Sequence, residues 1–142
     1  MKVLFFLFVV SCVWAGCSKP DNTKAAAPPA TDIIDTSQGA AKFSGSFVSA
    51  PGESVSGKAI VLLKGGIYTL ALESIKIVNG PDLHVYLAKE KSAANFIDLG
   101  KLKSTSGNQV YAINGSPNFS EYQYALIYCQ QYKVLFGSAA LK

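Results

Sequence analysis

The sequence predicts an all-β fold: an antiparallel β-sandwich of about eight short strands, preceded by a signal peptide and a flexible linker. Three observations carry this expectation. From Phe43 onward, short apolar runs are separated by clusters of Gly, Pro, Asn and Ser. No long stretch repeats its apolar residues with the period of a helix, and no internal repeat is visible. The 142 residues are 49% hydrophobic and only 15% charged, too little charge for a disordered chain or a coiled coil. That length holds one domain plus a tail.

The first element is a targeting segment, residues 1–16. Met1-Lys2 forms a minimal positive start, and Val3 to Trp14 is almost wholly apolar. This run is shorter than the roughly 20 residues that span a bilayer, but it suits a signal peptide. The chain then reads Trp14-Ala15-Gly16-Cys17-Ser18. Small residues before a cysteine, then polar sequence, resemble a bacterial lipobox. That resemblance implies cleavage before Cys17, acylation of Cys17 and attachment to the membrane through lipid. Val9-Val10-Ser11-Cys12 is a rival lipobox, and an ordinary secretory signal is the remaining alternative.

The second element is a linker, residues 17–38. It contains Pro20, Ala25-Ala26-Ala27 and Pro28-Pro29, with no strand or helix period before Ile33-Ile34. It reads as a tether that lifts the domain off the bilayer.

The domain itself is expected over residues 39–142. Candidate strands are Phe43–Val48, Val55–Lys64, Ile67–Leu72, Leu83–Ala88, Phe96–Lys101, Val110–Ile113, Tyr122–Cys129 and Lys133–Phe136. Breaks fall at Pro51-Gly52, Gly65-Gly66, Asn79-Gly80-Pro81, Gly107-Asn108 and Asn114-Gly115. Lys64-Gly65-Gly66-Ile67 has the composition of a tight hairpin.

Composition narrows the chemistry. All 13 cations are lysine, so the net charge of +4 comes without an arginine. Arginine supplies the bidentate fork for guanine edges and phosphates, so no nucleic-acid partner is expected. One histidine, His84, excludes sites built from two or three imidazoles: blue copper, the facial iron triad and the common catalytic zinc sites. No metal site is expected.

Of the three cysteines, Cys12 leaves with the signal and Cys17 carries lipid, which leaves Cys129 as a lone thiol. A spare thiol in an exported protein draws attention because its surroundings are oxidising. Period two places Ala125, Ile127 and Cys129 on one face of their strand. Three readings stand: a buried small hydrophobe, a redox thiol or cofactor ligand, or one half of an intermolecular disulfide. In Asp82-Leu83-His84-Val85-Tyr86-Leu87, the residues Asp82, His84 and Tyr86 share the face opposite Leu83, Val85 and Leu87. They form either a supporting polar site, with His84 as a metal or haem ligand or paired with Cys129, or a solvated face. A Cys129–His84–Asp82 hydrolase is disfavoured, because no Gly-flanked nucleophile turn surrounds Cys129. Covalent haem attachment is excluded by the absence of a Cys-x-x-Cys-His run.

Several pieces in order resemble the electron-transfer DM thirteen domain family, a β-sandwich related in context to DOMON redox domains. They are Gly45-Ser46-Phe47, Val55-Ser56-Gly57-Lys58-Ala59, Gly80 to Leu87, Leu99-Gly100-Lys101-Leu102-Lys103, Gly107 to Tyr111, Ile127-Tyr128-Cys129 and Val134 to Leu141. The resemblance implies a signature cysteine at Cys129, acting as a bare thiol or as ligand to a prosthetic group such as haem. Tyr128 stands where the family often has Trp, and Ile113-Asn114 where it often has a hydrophobic-Pro pair.

Two functions follow. One is a cell-envelope lipoprotein carrying a redox or electron-transfer accessory domain that uses Cys129 and meets a redox partner protein. The other is a non-catalytic surface module binding sugar, haem or protein, with Cys129 structural. Neither requires independent catalytic activity. Ser18 after the acylated cysteine points to the outer membrane, again by resemblance to bacterial lipoproteins.

Overall fold

The computed structural model describes residues 29–34 and 39–142. The expected signal peptide, Cys17 and most of the expected linker lie outside the described residues. The elements are β1 (Ala30–Thr31), β2 (Ala40–Ser49), β3 (Val55–Lys64), β4 (Ile67–Ile77), β5 (Leu83–Ala88), β6 (Phe96–Lys101), β7 (Ser106–Ile113), β8 (Tyr124–Cys129) and β9 (Val134–Ala140). No helix occurs among the described residues.

All nine strands belong to one sheet, in the order β1-β7-β4-β3-β2-β9-β8-β5-β6. Every pairing is antiparallel except β1 on β7. The corner is β2. Its residues Ala40 to Ser46 pair with β3, and Phe47 to Ser49 pair with β9. The sheet therefore folds over at Ser46-Phe47 into two layers, a sandwich rolled from a single, nearly closed sheet. Gly45 stands at the fold. A Cβ there would lie 1.9 Å from the Ala140 carbonyl oxygen, so only glycine lets the two strands approach. Beside it, the Ser44 and Lys142 amides each donate to the other's carbonyl, at 3.0 and 3.2 Å.

Three expected strands, β3, β5 and β6, have the expected bounds. The Gly65-Gly66 hairpin is also present, with Lys64 opposite Ile67 and both glycines at positive φ, 56° and 82°. The break expected at Gly107-Asn108 falls inside β7 instead. Gly107 pairs with Ile75 of β4, beyond a register shift in β4 between Leu72 and Ile75.

The interior between the layers is apolar. Val61, Leu70, Leu72 and Ile75 from one layer meet Val85, Leu87, Ala125, Ile127 and Cys129 from the other, all fully buried. Each large side chain so buried contributes about 1.5–3 kcal/mol. A second cluster covers the outer face of the β8–β5 layer: Tyr86, Ala88 and Leu126, with Tyr124, Tyr128 and Leu135 packed around them. Strand β5 is thus buried on both sides. On this outer face Phe96 of β6 and Tyr128 of β8 stack on Tyr86, which with His84 is buried, while Asp82 remains partly exposed.

Of the expected linker, Pro29 to Ile34 is described, and it lies along β7. Ala30 pairs with Gly107 and Thr31 with Asn108. Beyond β1, the Asp32 carboxylate accepts from the Val110 amide at 2.9 Å and from the Lys103 ammonium. That lysine holds the Asp32 carboxyl below the usual carboxylate range.

Candidate functional site

Cys129 ends β8. Its register partner on β5 is Leu83, a residue of the interior face, while His84 pairs with Tyr128. Successive strand residues alternate faces, so Cys129 points into the core and His84 points out of it. The two do not meet. Cys129 is fully buried and unpaired in any disulfide. A cleft of about 170 Å³ opens nearby, lined by Gly80, Asp82, Leu83, Lys101 and Ser104 among others. Leu83 stands between that cleft and the thiol.

A haem on Cys129 does not fit this arrangement. Among the described residues, Cys129 is fully buried, and the cleft beside it, at about 170 Å³, is smaller than the about 300–1,000 Å³ of sites that enclose a cofactor.

The other expected residues do come together, on the outer face of the β8–β5–β6 layer. His84 Nδ1 lies 3.0 and 3.1 Å from the two carboxylate oxygens of Asp98. His84 Nε2 lies 3.6 Å from Asp82 Oδ1, too far for a hydrogen bond. The ring is 8% exposed, and Nε2 is buried with no hydrogen-bond partner. Asp82 Oδ1 is also 2.9 Å from Lys101 Nζ. This contact, ahead of the charge of His84, holds the Asp82 carboxyl below its ordinary range.

Asp98 is fixed from behind: Gly100 N–H donates to Oδ1 at 2.8 Å and Gln130 Nε2 to Oδ2 at 2.9 Å. Tyr86 is 2% exposed and stacks on Phe96 at 4.0 Å and on Tyr128 at 5.4 Å. Burial pushes its phenol pKa up, against a side-chain hydrogen bond from Gln130 that pulls it down.

Asp98 and Gln130 were not legible as site residues. Asp98 joins only through the pairing of β6 with β5, where a register shift between Val85 and Tyr86 sets it opposite Tyr86. The available signal was Asp98-Leu99-Gly100, a carboxylate two residues before a glycine, the spacing of a turn in which the side chain accepts from the backbone.

A second polar cluster lies at the other end of the cleft. Gln109 is fully buried. Its Oε1 accepts from the Tyr111 hydroxyl at 2.6 Å and from Lys103 N–H at 3.1 Å, and its Nε2 donates to Ser104 O at 2.7 Å. Burial raises the Tyr111 pKa to about 12. This cluster pins the 103–104 loop that lines the cleft.

Among the described residues, no three His, Cys, Asp or Glu side chains converge as a ready metal cage. The family model described as Electron transfer DM13 matches residues 46–141, a span that contains both Cys129 and the His84 cluster. No match was found among the curated proteins or among the solved structures.

Proposed function

The chain belongs to the Electron transfer DM13 family, and from that premise we propose that it is an electron-transfer accessory module, tethered to a bacterial cell envelope by lipid on Cys17. Ser18 after the acylated cysteine supports an outer-membrane location by resemblance to bacterial lipoproteins, and the proposed partner is a redox protein rather than nucleic acid. The observation that carries the redox reading is the match over residues 46–141. Thiol exchange needs an exposed thiolate, and Cys129 is fully buried and faces the core. A partner reaches that sulfur only if the Gly80–Leu83 segment or the turn after β8 opens. The charged cluster of Asp82, His84, Asp98 and Lys101 instead stands on the outer face, beside the aromatic stack. Exchange with a partner therefore runs through this outer face, with Cys129 packing beneath it.

The test is an absorbance spectrum and mass measurement of protein purified from its native membrane, with the rate of Cys129 alkylation at neutral pH. A co-purifying redox group and slow alkylation are expected. Fast alkylation of the native state would return the chemistry to the thiol. A protein with no redox change and slow alkylation would leave a binding module. One observation favours that second reading: the Phe96–Tyr86–Tyr128 stack, whose Phe96 edge is 41% exposed, is an aromatic platform of the kind that binds flat or sugar ligands. Retention of ligand affinity in Cys129→Ser would support it.

A further inference from the structure

The two outer faces of the sandwich differ. On the β8–β5–β6 side, the aromatic stack and the charged cluster cover the sheet. On the other side, β3, β4 and β7 turn Ile60, Leu62, Ala71 and Val110 outward, with Ile34 packed over them. Beside Ile34 an open groove of about 350 Å³ crosses the sheet, lined by Ile33, Leu62, Ile67 and Val110 together with Lys64 and Thr69. Ile33 is 87% exposed and Ile67 65%. Two branched aliphatic side chains standing out of water-facing backbone at an apolar groove mark an interaction surface.

We infer that this face rests on the bilayer to which the chain is tethered, with Ile33 and Ile67 inserted at the boundary of headgroups and acyl chains. The tether selects the bilayer as the occupant. The described chain begins with Pro29, and Ile33 of the same segment already lines the groove. Residues 17–28 reach at most about 40 Å when fully extended. The lipid therefore holds this groove close to the membrane, at an effective concentration on the order of millimolar. Two aliphatic anchors are too few to capture a bilayer from solution, but they suffice once the encounter is intramolecular.

The polar neighbours fit the same placement. Lys64 is exposed and lies opposite Ile67 in the hairpin register, so its long side chain reaches back to lipid phosphates while Ile67 goes in. Farther along β3, Lys58 stands opposite Glu73 and closes the apolar stretch with balanced charge. Val48 is as exposed as Ile67, at 66%, but it belongs to the part of β2 that pairs with β9, in the other layer. Docking by the β3–β4–β7 face turns Asp82, His84, Asp98 and Lys101 away from the membrane, toward an arriving partner. The inference rests on the proposed lipid at Cys17 and not on the electron exchange.

The experiment uses the acylated chain purified from its native membrane and reconstituted in phosphatidylcholine vesicles. The acyl chains of those vesicles carry bromine, which quenches tryptophan on contact. Trp14 is the single tryptophan, and the proposed processing removes it, so an introduced tryptophan is the sole emitter. Ile67→Trp should shift its emission to the blue and lose intensity relative to vesicles without bromine. Val48→Trp should keep its intensity. Ile33→Ser added to Ile67→Trp should restore the lost emission. All three positions are exposed, and urea unfolding of each variant confirms that it folds.

An acylated, vesicle-bound Ile67→Trp protein that the bromine leaves bright overturns the docking and spares the lipid anchor. Blue emission without quenching does the same, by showing that a second copy or the chain's own acyl tail fills the groove. Equal quenching of Val48→Trp overturns the orientation. A protein whose mass shows no acyl group and which ignores the vesicles overturns the anchor and the docking together.

Discussion

The two polar clusters flanking the cleft are built on opposite terms. Around Gln109, every group is neutral, and each buried side-chain polar atom has its partner. Around His84, most groups carry charge, and one buried nitrogen has none. A satisfied neutral network fixes a loop and has nothing left to offer a ligand. An unsatisfied charged one contributes less to folding and keeps a donor in reserve.

The comparison is broken or sharpened by substitution. Gln109→Leu should be the most damaging change. It removes the acceptor shared by the Tyr111 hydroxyl and the Lys103 amide and the donor to the Ser104 carbonyl, and should cost about 3 kcal/mol in urea unfolding. A cost no greater than that of His84→Asn would erase the distinction. Tyr111→Phe comes next, at about 1–2 kcal/mol. The folded Tyr111 pKa is raised from 10.0 to about 12, so its contribution is complete below pH 10 and is lost as pH rises toward 12. An unfolding series over that window should fall more steeply for the native protein than for Tyr111→Phe.

Cys129→Ala should cost about 1 kcal/mol, the price of a small core cavity. Alkylation of the native thiol should then track unfolding conditions; rapid labelling without them would show an opening of the 80–83 segment. The smallest stability effect belongs to the His84 cluster itself. Lys101→Ala should leave the unfolding midpoint unmoved, as expected of an exposed ion pair.

The fold was more legible than the site. Strands β3 and β5 are bounded by residues that halt pairing, Gly65 and Pro81 among them. Where the chain pairs through its irregularities, the reading fell short. Strand β4 runs on to Ile77 past Ser74, whose φ of 50° breaks the alternation. Strand β9 runs on through Gly137-Ser138-Ala139-Ala140, weak strand formers held by the close packing at Gly45. For the site, spacing alone put Asp82, His84 and Tyr86 on one face. It could not show that β6 would deliver Asp98, nor that Phe96 and Tyr128 would roof the face. Those depend on the pairing of strands separated in sequence. The Cys129 face was legible too, since period two already set it with Ala125 and Ile127. Only the fold shows that this face is the core.

The clasp at Asp32 bears on how far the domain can travel. Residues 29–34 lie pinned along β7 by two backbone pairings and one carboxylate. Peeled free, six residues add about 20 Å of extended chain. A pull on Pro29 therefore meets β1 before it meets any part of the sandwich core, and the first event under load is a longer leash rather than an unfolded domain. The ion pair between Asp32 and Lys103 is exposed to solvent and weakens with salt. Ionic strength thereby tunes how firmly residues 29–34 hold to β7.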